Sequence, residues 1–162
     1  MSKNWVILII AVLLLIFLDQ ALKIWTLENI AGRGNRVLID GFLGLTYHRN
    51  TGAAFGLLAG FAWSSWFFTG AKIILIGVLC WYYSKIPQGK RFWAIRIPVI
   101  FIIAGGLGNL IDRFRHEAVI DMLEFLFIDF AIFNLADVFV TTGVFVGAFI
   151  VIFFVKDAPY LK

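Results

Sequence analysis

The sequence predicts an all-α polytopic membrane protein with four transmembrane helices and a small β-sheet on its outer face. The first observation is composition: 62% of the 162 residues are hydrophobic, whereas soluble domains are about 45–50% apolar. The second is that the apolar residues form continuous runs close to the ~20 residues that a helix needs to cross a bilayer. The third is that these runs lack the polar–apolar alternation of a membrane β-barrel, which leaves helices as the way to span lipid.

Four apolar segments are predicted to span the membrane, and they make residues 1–162 a single membrane-embedded domain. The segments are Trp5–Trp25, Ala62–Tyr83, Phe92–Ile111 and Phe133–Val155. We do not expect the first of them to be a cleaved signal peptide, because Asp19 and Gln20 stand where a cleavage site would carry small residues.

An even number of spans places both termini on the same side of the membrane. Lysines and arginines are divided six against six between the two sides, so their number does not decide the orientation. The short loop Lys85–Arg91 is basic and contains no acid, which favours cytoplasmic termini and outer-side aspartates. The net charge of +4 fits contact with anionic lipid. No basic stripe with interleaved aromatic residues lies outside the spans, so we expect no nucleic-acid partner.

Two longer connections lie on the predicted outer side. The first, Thr26–Phe61, contains the apolar, glycine-broken stretch Val37–Tyr47, which predicts short strands in a sheet lying on the membrane surface. The second, Arg113–Ile132, is richer in charge.

Asp121 and Asp137 stand at the ends of apolar segments, where a carboxylate costs roughly 2.5–3.5 kcal/mol on insertion scales. Two carboxyls that share a site keep one proton between them, and such a pair can cut a peptide by acid–base catalysis. Several acids could partner Asp137, and Asp121 ranks first because its neighbours are apolar. The candidates are Asp112, Glu117, Asp121, Glu124 and Asp129.

Other polar residues of the spans have two interpretations each. Asp19 and Lys23 are four residues apart with the acid first, which favours an ion pair along a helix; direct contact with a substrate is the alternative. The small residues of Asn50–Gly56 allow a close backbone approach. This segment is either a turn into the second span or a strip of amides offered to an extended peptide.

The run Gly105–Asn109 allows close helix packing, and Asp112 and Arg113 would finish that helix as an interfacial charge pair. Lys72 falls near the middle of the second span, and the sequence gives it no role.

His48 and His116 fall in predicted loops. Neither has a second histidine or cysteine at metal-ligand spacing, and no serine-nucleophile signature is present. We therefore expect no metal and no organic cofactor.

With these residues in place, the chain resembles the bacterial lipoprotein signal peptidase (signal peptidase II) family along nearly its full length. Five ordered stretches carry the resemblance: Asp19-Gln20-x-x-Lys23, Asn50-Thr51-Gly52-Ala53-Ala54-Phe55, Gly105-Gly106-Leu107-Gly108-Asn109-Leu110-Ile111-Asp112-Arg113, Val119-Ile120-Asp121 and Phe133-Asn134-Leu135-Ala136-Asp137.

The resemblance implies an aspartic endopeptidase of the bacterial inner membrane. Such an enzyme removes the signal peptide from prolipoproteins by cutting just before the diacylglyceryl-modified cysteine. It implies a β-cradle on the outer face, inhibition by globomycin-type cyclic peptides, and Asp121 and Asp137 as the catalytic pair. We also expect a monomer in contact with membrane lipids. The matching positions that line or support the substrate site are Asn50, Asn109, Arg113 and Asn134, with Asp19, Lys23, Gly52, Gly108 and Asp112 as structural support.

Two residues depart from the family pattern. Met122 stands where the family usually has Phe, and Val138 stands where it usually has Ser. Neither change removes a catalytic group, so the departures concern the shape and polarity of the pocket.

Two other functional classes remain open from the residues alone. A small transporter or proton channel could use the intramembrane charges as an ion path. The charged residues in question are Asp19, Lys72, Asp112, Asp121 and Asp137. Against an ion path, four of these five residues lie near span ends on one side. The other class is a non-enzymatic membrane protein that binds lipoproteins.

Overall fold

The computed structural model describes residues 3–52, 64–87, 89 and 92–154. Four helices and three strands make up the described chain, and their order is α1 (Lys3–Asn29), β1 (Arg36–Ile39), β2 (Leu43–Asn50), α2 (Ser64–Lys85), α3 (Trp93–His116), β3 (Val119–Phe125) and α4 (Leu135–Phe154). Among the described helices, α1, α3 and α4 are long and apolar enough to cross a membrane. The structure thus confirms a mainly helical membrane protein that carries a small antiparallel sheet.

Parts of several predictions lie outside the described residues. These are the second half of the Asn50–Gly56 segment, the first residues of the second predicted span, most of the loop before α3 and the end of the last span: Ala53–Gly56, Ala62, Trp63, Lys90, Arg91 and Val155.

Helix α3 is the centre of the bundle and contacts α1, α2 and α4. It runs to His116, five residues beyond the predicted end at Ile111, so Asp112 and Arg113 are helical and do not lie in a connection. The helix ends where Glu117 takes a left-handed conformation (φ 55°) and its N–H bonds the carbonyl of Arg113 at 3.1 Å.

Close approach of helices requires glycine at two positions of α3. A Cβ on Gly108 would lie 2.7 Å from Asp19 Oδ2, and one on Gly105 would overlap the carbonyl oxygen of Ala136. Both distances are shorter than a van der Waals contact, so α1 and α4 can pack here only against a residue without a side chain.

The three strands form one antiparallel sheet in the order β1–β2–β3. The first two strands match the predicted Val37–Tyr47 region, but β3 falls within a connection that was predicted only as charged. Strand β3 pairs along β2, with Asp121 opposite His48. The prediction that both histidines lie in loops is wrong, because His48 belongs to β2 and His116 is the last residue of α3.

Among the described residues, two apolar cores flank the region where α3 meets the sheet. The larger core lies between α1, α2 and α3 at the end away from the sheet, around Tyr83 and Ile100. There the buried Arg96 donates through Nη2 to the carbonyls of Ile86 (2.9 Å) and Pro87 (3.1 Å), which ties the end of α2 to α3. The smaller core joins α1 to the sheet through Ile30, Leu45, Ile120 and Met122.

Candidate active site

Asp137 lies in the first turn of α4 and is fixed there by a reciprocal pair of hydrogen bonds. Asn134, just before the helix, accepts from the Asp137 N–H at 2.9 Å, and its own N–H donates to Asp137 Oδ2 at 3.2 Å. Such an exchange satisfies two backbone donors at a helix start. The sequence Asn134-Leu135-Ala136-Asp137 therefore sets the position of this carboxyl by local geometry.

Asp121 reaches the same region from β3. Its side chain is 1% exposed, and it accepts hydrogen bonds from Asn134 Nδ2 at 2.6 Å and Asn50 Nδ2 at 2.9 Å. Burial raises the pKa of Asp121 from 3.8 to about 6. The two asparagine hydrogen bonds oppose this shift, while the negative charge of Asp137 adds to it. Asp121 therefore keeps a proton to a higher pH than an ordinary aspartate does.

Asn109 on α3 links the two carboxyls to a buried lysine. Its Oδ1 accepts from Lys23 Nζ and from Asn134 Nδ2, both at 3.1 Å. A lysine ammonium can only donate, so the amide nitrogen of Asn109 must face the other way. That nitrogen donates to Asp137 Oδ1 at 2.8 Å.

Lys23 is the centre of a buried ion triad. Its ammonium lies 2.9 Å from Asp19 and 2.8 Å from Asp112, so the expected Asp19–Lys23 pair is present with a second acid. This also changes the expectation for Asp112, which belongs to the interior rather than to an interfacial charge pair.

Each acid of the triad also bonds the backbone of an element that carries a site carboxyl. Asp112 Oδ2 accepts from the N–H of Ile120 at 3.1 Å, and Asp19 Oδ1 accepts from the N–H of Ala136 at 2.9 Å. These two residues directly precede Asp121 and Asp137. The triad therefore sets the spacing between β3 and the start of α4.

Gln20 completes this arrangement, and sequence reasoning did not select it as a site residue. Its Nε2 donates to Asp112 Oδ1 at 2.9 Å and lies 3.2 Å from the Gly108 carbonyl. Its position beside Asp19 in the first matching stretch was the available signal.

Gly52 is held between Asn50 and Arg113. Its N–H donates to Asn50 Oδ1 at 3.1 Å, and its carbonyl accepts from Arg113 Nη2 at 2.8 Å. In the described part of the Asn50–Gly56 segment, these two bonds hold the side chain of Asn50 beside Asp121.

A cavity of about 560 Å³ opens beside the two carboxyls. Its lining includes the polar side chains of Asn50, Asn109, Arg113, Asp121 and Asp137, together with Gly52, and Lys72 lines it from α2. The remaining walls are mainly apolar and come from α2, α3, β3, α4 and the segment before α4. Of the five acids considered as partners of Asp137, Asp121 is the one that shares its cavity.

Three residues singled out in the sequence, Asn134, Met122 and Val138, differ in whether they line this cavity. Asn134 is fully buried and does not line the cavity, so it orients the carboxyls and does not face a ligand there. Met122 is fully buried in the smaller core, whereas Val138 lines the cavity. The second departure from the family pattern is therefore the one that changes the cavity wall.

The arrangement suits acid–base chemistry on a largely apolar ligand. Two carboxyls face one cavity, and asparagine and arginine donors stand beside them. The described residues contain no group of three or more His, Cys, Asp or Glu side chains that could hold a metal ion.

Comparison with known proteins gives a consistent result. The sequence profile of the family described as signal peptidase (SPase) II matches residues 10–154. Lipoprotein signal peptidases of Streptococcus pyogenes serotypes M6 and M1 are 40% identical over 136 residues, covering 84% of this chain and 86% of theirs.

Two solved structures, each described as a bacterial membrane enzyme structure obtained by the in meso method, share this fold. The first has a TM-score of 0.76 at 31% identity and covers 96% of this chain and 91% of its own. The second has a TM-score of 0.77 at 31% identity and covers 93% of this chain and 94% of its own.

Proposed function

This chain belongs to the signal peptidase II family, the proteases that remove signal peptides from prolipoproteins, and on that premise we propose that Asp121 and Asp137 are its catalytic pair. The observation that carries the proposal is their joint position on one cavity, each oriented by asparagines. The proposed reaction is hydrolysis of the peptide bond just before a diacylglyceryl-modified cysteine.

The mechanism uses one proton shared by two carboxyls. Two acids on one cavity do not ionise together easily, so one keeps its proton. We assign this proton to Asp121, because burial raises the pKa of that carboxyl to about 6. Asp137 then takes a proton from water, and the resulting hydroxide attacks the scissile carbonyl while Asp121 donates to the carbonyl oxygen. Collapse of the intermediate breaks the C–N bond, and a carboxyl proton passes to the leaving amine.

The neighbouring donors position the substrate. Arg113 and Asn50 line the cavity without carrying a transferable proton in this mechanism. The apolar walls suit a signal peptide and a diacylglyceryl chain, and each buried CH₂ of such a chain contributes about 0.8 kcal/mol. Anchoring of the lipid would hold the scissile bond at the carboxyls and raise its effective concentration.

The proposal extends to the arrangement in the membrane. Helix α2 is the fourth span, residues 1–162 form one membrane-embedded peptidase domain, and the β-sheet is a cradle on the outer face of the inner membrane. Both termini are cytoplasmic and the carboxyls face the outer side. The enzyme acts as a monomer among membrane lipids and is inhibited by globomycin-type cyclic peptides, which would occupy the cavity.

The test is cleavage of a lipidated prolipoprotein by purified protein, read as a mass shift on a gel. Asp121→Asn and Asp137→Asn should each abolish cleavage and leave a folded protein, because an amide of nearly the same size cannot exchange the proton. Asp129→Asn is the matched control, since Asp129 is exposed and lies off the cavity lining. Retained cleavage in either site variant removes that residue from the pair.

The same assay separates the alternatives. A lipoprotein-binding protein without activity, or a transporter, would leave the prolipoprotein uncut. A second arm compares kcat/KM for lipidated and unlipidated forms of one precursor. The proposal expects the unlipidated form to be cut far more slowly, and equal values would remove the role of the lipid.

A further inference from the structure

Lys72 is a cation of the cavity wall that the aspartyl mechanism leaves without a task. Helix α2 packs on α3 where Ile76 faces Gly106, since a Cβ on that glycine would lie 3.1 Å from Ile76 Cδ1. Consecutive helices joined by a short loop run in opposite directions, so Lys72, one turn before Ile76, stands one turn nearer the sheet. That places it at the level of Asn109, which bonds Asp137, and its side chain lines the same cavity as both carboxyls.

The Lys72 ammonium has no hydrogen bond or ion pair within the described part of the chain. All four oxygens of the two carboxyls accept hydrogen bonds from asparagine residues instead. A charged side chain at membrane depth costs roughly 2.5–3.5 kcal/mol on insertion scales, and one without a direct hydrogen bond or ion pair marks a functional position. An anionic ligand in the cavity would offset that cost.

Hydrolysis creates such an anion at this place. Water adds its oxygen to the scissile carbonyl carbon, the C–N bond breaks, and the signal-peptide fragment keeps the new carboxyl group. The cysteine amine takes up the proton, so the fragment ends in a carboxylate whose ordinary pKa is about 3.3–3.7. This carboxylate arises beside an ionised aspartate in a mainly apolar cavity, where like charges repel.

We propose that Lys72 binds the C-terminal carboxylate of the released signal peptide. The proposal rests on the proposed function, since that cleavage generates the carboxylate. It assigns a ligand class to this wall of the cavity: apolar peptides that end in a free carboxylate. The uncut precursor presents a neutral amide at the same place, so Lys72 distinguishes product from substrate.

The experiment measures binding directly and needs no turnover. The signal-peptide fragment of one prolipoprotein is synthesised with a free C-terminal carboxylate or a carboxamide and labelled with a fluorophore at its N-terminus. Fluorescence polarisation at pH 7 in detergent micelles gives both dissociation constants. We expect wild type to bind the carboxylate form roughly tenfold more tightly, the size of one charge-assisted hydrogen bond.

Variants of Lys72 identify the residue responsible. Lys72→Met should abolish the preference for the carboxylate, and Lys72→Arg should retain most of it. Lys85→Met is the matched control, because it removes a lysine of the same helix at an exposed position off the cavity, and it should behave as wild type. A purely structural role for Lys72 would weaken both peptide forms equally.

Two results overturn the proposal: a wild type that binds both forms alike, or a preference that survives in Lys72→Met. If thermal unfolding shows that Lys72→Met is not folded, Lys72→Gln takes its place, because it removes the charge and keeps a polar side chain. The outcome is separate from that of the catalytic proposal. Cleavage that persists in both aspartate variants overturns the catalytic pair, whereas the binding ratio overturns only the role of Lys72.

Discussion

At the scale of single residues, three asparagines orient the two carboxyls of this site by hydrogen bonds. Asn134 directly precedes α4 and orients both carboxyls, Asn109 bridges Lys23 to Asp137, and Asn50 bonds Asp121. An amide side chain donates and accepts at once, so it can hold a carboxylate on one side and a cation or backbone group on the other. A carboxylate or a lysine at these positions would do only half of this.

The pH dependence of activity should report the proton on Asp121. The active pair carries one proton, and the pKa of Asp121 is raised to about 6 by burial, so kcat/KM should fall as pH rises above about 6. The Asn50 hydrogen bond stabilises the ionised carboxyl and lowers this pKa. In Asn50→Ala the alkaline limb should therefore move to higher pH, with lower but measurable turnover. A pH profile of kcat/KM checks this, and a limb that stays in place or moves to lower pH contradicts it.

The free energy of unfolding should also depend on pH through Asp121. Asp121 ionises at 3.8 in the unfolded chain and at about 6 in the folded one, so its contribution to stability is complete below 3.8 and lost as pH rises through 6. Asp121→Asn removes that loss. Its effect on the free energy of unfolding should be more favourable at pH 8 than at pH 4 by about 2–3 kcal/mol. Unfolding in detergent measures the effect of the substitution at each pH. The difference between the two effects excludes any hydrogen bond that the variant loses equally at both pH values.

At the scale of elements, helix α3 sets where the other helices can lie. Its glycines admit Ala136 of α4 and Asp19 of α1 against the backbone, and its last turns carry Asn109, Asp112 and Arg113 toward the sheet end. Because Asp112 and Asp19 bond the residues just before Asp121 and Asp137, a change in helix packing is transmitted to the spacing of these two carboxyls.

Gly108→Ala tests this dependence on close packing. The added Cβ would lie 2.7 Å from Asp19 Oδ2, so α1 must shift or Asp19 must turn away from the Ala136 N–H. Overpacking of this kind costs about 1–3 kcal/mol, and cleavage should fall with stability. Gly77→Ala is the control, because nothing lies within 4 Å of its added Cβ and alanine favours a helix interior by roughly 0.5–1 kcal/mol. Equal unfolding temperatures for the two variants would contradict the packing argument.

At the scale of the whole molecule, exposed apolar side chains and the buried ion triad lie in different parts of the structure. The outward faces of the helices expose large apolar side chains such as Phe17 (66%) and Phe145 (72%), which suits contact with lipid. The Asp19–Lys23–Asp112 triad is buried at the sheet end of α1, α3 and α4, and each of its three members has at least two polar partners. This division puts the proposed chemistry at one surface of the membrane.

The orientation of the whole molecule can be measured by cysteine accessibility. On a Cys80→Ala background, His116→Cys and Ser84→Cys introduce thiols at exposed positions near opposite ends of the bundle. A membrane-impermeant maleimide added to intact cells should label the first variant and not the second, because the acid-free basic loop after α2 favours the cytoplasm. Labelling of the second variant alone would reverse the proposed orientation.

The sequence by itself determined the features that depend on local composition. Runs of apolar residues predict membrane helices because a segment in lipid must satisfy its own backbone, and α1, α3 and α4 follow these runs with ends shifted by a few residues. The Asp121 and Asp137 positions were identified from short ordered stretches, and Asn134-Leu135-Ala136-Asp137 forms a local helix start whose geometry is set within four residues. These features need little information from the rest of the chain.

Only the tertiary structure decided which polar groups meet. The partners Asn50 and Asp121 are 71 residues apart, and Asp19 and Ala136 are 117 apart, so no local pattern contains both. Strand β3 was not predicted for the same reason, because its residues form a strand by pairing with the distant β2. The burial of Asp112 within α3 likewise involves Lys23 of α1, because its ammonium offsets the cost of a buried carboxylate. A charge is admitted to an apolar interior by its partner, and the fold supplies that partner.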